Sequence, residues 1–141
     1  MGKHDEPVWN VKWGKDNLDG HQNFFSCSSD GAIINWTVLD NYLVATLITI
    51  IPFTAPARSE ELRACLTDGV KCISFKPDLD KYFLVGTEEG DIHLCSVDYS
   101  SQFLKTYHAH VTPVNNIVWN PFYNNLFLSC ASEYRIFLWH K

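Results

Sequence analysis

A two-part pattern recurs three times along this chain, so any fold must accommodate three copies of one small unit. The first part is His4-Asp5-Glu6-Pro7-Val8-Trp9-Asn10-Val11-Lys12-Trp13. It returns as His110-Val111-Thr112-Pro113-Val114-Asn115-Asn116-Ile117-Val118-Trp119 and, more weakly, as Val70-Lys71-Cys72-Ile73-Ser74-Phe75. The second part is Asp30-Gly31-Ala32-Ile33-Ile34-Asn35-Trp36, then Glu89-Gly90-Asp91-Ile92-His93-Leu94-Cys95, then Glu133-Tyr134-Arg135-Ile136-Phe137-Leu138-Trp139. In each copy an acidic residue stands six positions before the final Trp or Cys. Val70 and Val114 are 44 residues apart. Self-similarity at this period marks units that cannot bury their apolar faces alone and must stack on one another.

Each unit reads as a run of short strands. Val8 to Trp13 alternates with the period of a half-buried strand. Phe24 to Ser28 is a second strand, Ser29-Asp30-Gly31 a hairpin turn with Gly available for positive φ, and Ile33 to Thr37 a third strand. Tyr42 to Ile51, rich in β-branched residues, is long enough for a fourth. Pro52 and Pro56 then oppose regular pairing, and Pro52 to Leu66 is expected to be mostly loop, with one short helical turn available at Ser59 to Arg63. The second unit has strands at Val70 to Phe75, Tyr82 to Thr87, Ile92 to Val97 and Gln102 to Tyr107. The third runs from Val114 to Trp139, and Lys141 stands where its fourth strand would begin. The expected fold is therefore all-β: about three four-stranded antiparallel blades of a propeller, the last incomplete. The expected boundaries are blade A at about 4–51, an inserted loop at 52–69, blade B at about 70–107 and blade C at about 108–141. Three blades fall short of a closed ring, and the expectation is of a portion of a propeller.

Composition narrows the function. The chain has 141 residues, 46% hydrophobic and 14% aromatic, enough for a packed β core. A net charge of -5, with only 11 scattered Lys and Arg, argues against a nucleic-acid or anionic-membrane surface. The five cysteines, Cys27, Cys65, Cys72, Cys95 and Cys130, include no CxxC pair and read as buried thiols of a reducing compartment. The N-terminus carries no signal-peptide apolar region, and Leu43 to Phe53 is too short to span a bilayer.

These motifs resemble WD-repeat propellers. The resemblance implies a hydrogen-bonded tetrad in each blade: a His before the first strand, a Ser or Thr on the second, an Asp in the turn and a Trp on the third. The set makes chemical sense, because a buried indole N–H needs an acceptor that a hydroxyl can supply. Blade A offers His4, Ser26 or Ser28, Asp30 and Trp36; blade C offers His110, Ser129, Glu133 and Trp139. Trp36 and Trp139 are expected to be buried. Blade B keeps Thr87 and Glu89 but has Cys95 for Trp and no matching His. The Asp that usually follows the Trp is absent, with Thr37 and His140 in its place.

Longer strings resemble axonemal dynein intermediate chains, the outer-arm type most of all. They are Lys3-His4 through Trp13, Asn23 through Thr37, Phe83-Leu84-Val85-Gly86-Thr87-Glu88-Glu89-Gly90, Tyr99 to Leu104, Val118-Trp119-Asn120-Pro121 and Phe127-Leu128-Ser129-Cys130. That resemblance implies a non-catalytic scaffold of a motor complex, with a propeller that grips the dynein heavy-chain tail alongside other intermediate and light chains. It implies a place in the cytoplasm and cytoskeleton, at the axoneme of a cilium or flagellum. It implies no cofactor, metal or small-molecule substrate. The alternative function is a generic WD-repeat adaptor that recognises a peptide or substrate in a signalling or ubiquitin-transfer complex.

The remaining constellations read blandly. His108-Ala109-His110 has metal-ligand spacing but no third ligand, and His93 with Cys95 is a packing pair. Glu88-Glu89 and Asp78 with Asp80 read as solvated turn residues. Ser26 to Ser29 lacks the glycines of a nucleophile elbow, and Gly86 to Gly90 lacks the lysine of a phosphate loop. Trp9 is the residue with a contact to offer. At the start of an inner strand it reaches either an inter-blade seam or one face of the propeller, and Lys71 and Asn115 hold the same position in blades B and C.

Overall fold

A computed structural model describes residues 2–15, 18–52, 67–78, 81–99 and 103–141. These residues form eleven strands in three antiparallel sheets, with no helix among them. Blade A contains β1 (Val8–Trp13), β2 (Asn23–Ser28), β3 (Ala32–Val38) and β4 (Leu43–Ile50), hydrogen-bonded in that order. Blade B contains β5 (Val70–Phe75), β6 (Tyr82–Thr87), β7 (Asp91–Ser96) and β8 (Lys105–His108). Blade C contains β9 (Val114–Trp119), β10 (Leu126–Ala131) and β11 (Ile136–His140). The eighth strand starts later than the sequence reading placed it. The helical turn proposed at Ser59 to Arg63 and the thiol of Cys65 lie outside the described residues.

The turn between the second and third strands is set by its glycine. Gly31 and Gly90 have φ of 79° and 95°, a region open to glycine at little steric cost. The N–H of Ala32 caps the same turn by donating to Asp30 Oδ1 at 2.8 Å. Each inner strand also carries one irregularity in its pairing, between Val8 and Asn10, Val70 and Cys72, and opposite Cys130–Ala131. The three units thus share this pairing irregularity, while the glycine turn is confined to blades A and B, Tyr134 standing at that place in blade C.

Side-chain alternation gives each blade two apolar flanks, and blade B is covered on both. Phe83, Val85 and Cys95 pack with Phe25, Cys27, Ile33, Ile48 and Ile51 of blade A. Leu84, Ile92, Leu94 and Tyr107 pack with Val114, Ile117, Trp119 and Phe127 of blade C. Successive residues of β6 therefore serve opposite seams, as the period of two requires. Phe83 and Phe127 are almost wholly buried, and burial of such a side chain contributes about 1.5–3 kcal/mol. The inner strands β1, β5 and β9 lie next to one another in sequence order, so their first residues share one end of the arc and their last residues the other.

Cys27, Cys72 and Cys95 are buried free thiols, and burial pushes each up to about 12. Cys130 is half-buried.

Candidate functional site

In blade A the N-terminal segment lays His4 against β2 and the turn that follows it. The His4 Nδ1–H donates to Asp30 Oδ2 at 3.1 Å and the Ser26 hydroxyl donates to His4 Nε2 at 2.6 Å. The Trp36 indole N–H donates to Ser26 Oγ at 2.8 Å. The carboxylate can only accept and the indole can only donate, so the two ends fix the proton arrangement between them. Burial pushes the Asp30 carboxyl up, but the N–H groups of Ala32 and Asp5 and the His4 imidazole outweigh it and hold the acid below its ordinary value.

Blade C repeats the chain of contacts. His110 Nδ1 meets Glu133 Oε1 at 2.5 Å, His110 Nε2 meets Ser129 Oγ at 2.9 Å, and Trp139 donates to Ser129 Oγ at 2.9 Å. The longer Glu133 side chain reaches the same ring nitrogen that Asp30 reaches in blade A. Trp36 and Trp139 are half-buried, not buried as expected. Trp36 lies on the open flank of blade A, and Trp139 lies on β11, an edge strand.

Ser28 does something else. Its hydroxyl donates to the Glu6 carbonyl at 3.0 Å and accepts the Asp30 N–H at 3.2 Å, which ties the entry segment to the turn. Register also corrects the reading of blade B. Ser26 lies opposite Ile34 and Ser129 opposite Phe137, and the residue in the equivalent pair is Val85, opposite His93. Thr87 corresponds to Ser28, and its Oγ likewise accepts a turn N–H, that of Asp91, at 3.2 Å. Where blades A and C place a polar chain, blade B places Val85 and Cys95 in the A–B core. Asp68 lies beneath this turn, 2% exposed, and burial raises its carboxyl to about 6 despite a hydrogen bond from Thr87.

Two histidines outside the tetrads, His93 and His108, have local partners. His108 Nδ1 meets Asp91 Oδ1 at 2.9 Å. His93 bonds Thr106 Oγ1 at 2.9 Å and stacks on Phe103 at 3.9 Å, and burial lowers its imidazole to about 4.

One end of the arc carries the candidate contact face. Trp9 is 49% exposed. Its indole N–H donates to Ser29 Oγ at 2.6 Å, and the Ser29 hydroxyl donates across the seam to Glu88 Oε1 at 2.6 Å. Lys71 Nζ sits 3.3 Å from the centre of the Trp9 ring, a cation–π contact worth about 0.5–1 kcal/mol when exposed. Trp9 and Lys71, equivalent in sequence, are thus in direct contact across blades A and B. Asn115 bonds Ser132 Oγ at 3.1 Å within blade C. Ser29, Glu88 and Ser132 are contact residues that the sequence reading misses, and Glu88, expected to be solvated, accepts from Ser29. Their signal was available: each directly precedes the acidic residue of its turn.

Comparison with solved structures places this architecture. The WD40 beta propeller domain of Doa1 superposes with a TM-score of 0.70 at 15% identity, covering 100% of this chain and 40% of that one. The C-terminal WD40 domain of Sif2 superposes with a TM-score of 0.67 at 18% identity, covering 96% and 34%. The family described as WD domain, G-beta repeat matches residues 101–140, which include all of blade C. The chain has the fold of an open, partial WD40 propeller.

Its likeness to dynein intermediate chains runs the length of this WD-repeat arc. It is 45% identical over 142 residues to dynein axonemal intermediate chain 1 of Mus musculus, covering 98% of this chain and 20% of that protein. It is 44% identical over 140 residues to dynein intermediate chain 2, ciliary, of Heliocidaris crassispina, again covering 98% and 20%. Dynein axonemal intermediate chain 4 of Danio rerio is 37% identical over 147 residues, covering 98% and 18%. The chain spans about a fifth of the length of these relatives.

The tetrad of a WD-repeat blade can be tested within blade C, where the two histidines of one segment differ in setting. The His110 side chain is wholly buried, whereas the His108 side chain is 82% exposed. His110→Ala strands the Ser129 hydroxyl and the Glu133 carboxylate, and a buried group left short costs about 1–3 kcal/mol. His108→Ala should stay within about 0.5 kcal/mol of the parent, as surface changes do. Urea titration of the two variants at one protein concentration reads the difference, and equal midpoints would contradict a structural role for the tetrad.

Proposed function

We propose that this chain is part of a non-catalytic scaffold subunit of an axonemal dynein motor, and that its propeller docks on the tail of a dynein heavy chain in ciliary or flagellar motility. The observation that carries this reading is 43–45% identity to axonemal intermediate chains of three mammals along 98% of the chain. The geometry is compatible with it. The tetrads spend their polar groups inside the blades, and the exposed Trp9–Lys71 pair with Asn115 is a preorganised surface. A cation held over an indole and a serine held between an indole and a carboxylate lose little side-chain freedom on binding, which favours affinity. Its mechanism is rigid display of that face, with no chemical step.

The test is affinity purification of the tagged chain from detergent-stripped axonemes of ciliated cells. Heavy chain, other intermediate chains and light chains should co-purify in fixed ratio. Trp9→Ala combined with Lys71→Glu should weaken heavy-chain retention by ~30-fold, the weight of one aromatic hot spot of about 2 kcal/mol. Recovery of ubiquitin-transfer or signalling components with no dynein heavy chain would replace this reading with the adaptor one.

A further inference from the structure

The opposite end of the A–B seam holds a cleft of about 610 Å³. It lies about 13 Å along the inner strands from the Trp9–Lys71 face, four residues at 3.3 Å each. Its walls are apolar and aromatic: Phe25 and Phe75 contribute rings 4.5 Å apart from adjacent blades, and Trp13, 71% exposed, stands at the mouth. Three features of its polar lining are unspent. Asn23 is only 6% exposed and its Oδ1 has no hydrogen-bond partner. Asn35, on the neighbouring strand, also has a buried Oδ1 with none. Lys76 is only 8% exposed, and among the described residues no carboxylate lies within ion-pair distance of it.

The two asparagine acceptors carry a cost that a ligand would remove. A buried acceptor left without a donor costs about 1–3 kcal/mol, and Lys76, its stem packed in the wall, has an ammonium to offer to an anion. Charge in the lining is also one-sided. Among the described lining residues other than Lys15, two cations, Lys76 and Lys81, face one carboxylate, Asp98, and Asp98 is taken by Lys81 at 2.8 Å. This local excess occurs in a chain whose net charge is -5.

We propose that this inter-blade cleft binds an extended, acidic segment of a partner protein. Backbone N–H groups of the segment donate to Asn23 and Asn35, an apolar side chain enters between Phe25 and Phe75, and a carboxylate meets Lys76. An extended peptide fits because it offers donors and side chains of alternating direction at one edge. The cleft is separate from the Trp9–Lys71 face, and its ligand chemistry does not depend on which motor complex holds the chain.

The full chain, immobilised at low density so that self-contact does not compete, is exposed to three nonapeptides. The first alternates leucine with glutamate, the second has glutamine for glutamate, and the third has lysine. The glutamate peptide should bind about tenfold tighter than the glutamine one, the weight of one charge-assisted contact of ~1.4 kcal/mol, and the lysine peptide should not saturate. Lys76→Met should erase the preference. Lys76→Arg should keep it. The intrinsic tryptophan spectrum of each variant checks that the blades remain assembled. Equal affinity for the first two peptides, a preference that survives Lys76→Met in a folded chain, or no saturable binding at millimolar peptide would overturn the proposal. So would Lys76-dependent pairing of two copies with the peptides idle, which would assign the cleft to self-contact.

Discussion

Gly90→Ala should destabilise the chain by about 3 kcal/mol or more, while Gly20→Ala should cost about 1–2 kcal/mol. Both glycines have positive φ, 95° and 80°, so both substitutions carry the left-handed penalty of an L side chain. They differ in what surrounds them. A Cβ at Gly20 would meet nothing within 4 Å, but one at Gly90 would lie 2.1 Å from the carbonyl oxygen of His110. That oxygen belongs to the backbone of the next blade, so the B–C seam itself must shift. The same seam is pinned where the His110 N–H donates to the Gly90 carbonyl at 2.9 Å. Relief at Gly90 therefore breaks a hydrogen bond between blades and moves the histidine of the blade C tetrad. Urea titration followed by tryptophan fluorescence, at matched protein concentration, measures both variants. Similar losses would mean that backbone conformation alone governs these sites and that the seam tolerates displacement.

The purified chain should associate into dimers or larger species. The reason lies on its two uncovered flanks. On blade C the alternate residues Val118, Leu128, Ile136 and Leu138 are 45–73% exposed and lie on the side away from blade B. On blade A, Val11, Leu43, Leu47 and Ile50 are 42–57% exposed. Contiguous apolar surface of this kind seeks cover, and the edge strands β4 and β11 offer unpaired backbone groups to a second copy. Blade stability in such an array depends on nearest-neighbour contact, so an end blade gains from cover by a second copy. Size-exclusion chromatography with light scattering should show mass above 16.2 kDa that rises with concentration. Leu138→Glu should reduce association by about tenfold or more without unfolding blade C, because it charges the outward face and leaves Phe137 and Trp139 in place. A monodisperse monomer with a cooperative melt would show that three blades suffice as a module.

What the sequence by itself determined is the periodic part of the molecule. Val8–Trp13 is a strand because its alternation is local, and Asp30-Gly31 and Glu89-Gly90 are turns because only glycine takes that φ without strain. The acidic residue six before Trp or Cys marked the repeat three times for the same reason: strand and hairpin lengths are short-range properties. What only the tertiary structure decided is everything that depends on register and on neighbours. Ser26 and Ser28 share a face of β2, as do Val85 and Thr87 of β6, so alternation cannot choose between them. The choice follows from which hydroxyl the Trp36 indole reaches once Phe24 is paired opposite it: that of Ser26, two residues along β2, whose place in blade B is taken by apolar Val85. Trp9 and Lys71 are 62 residues apart, and Ser29 and Glu88 are 59 apart. Those contacts exist because two blades meet at one seam, a packing event that no local window of sequence contains.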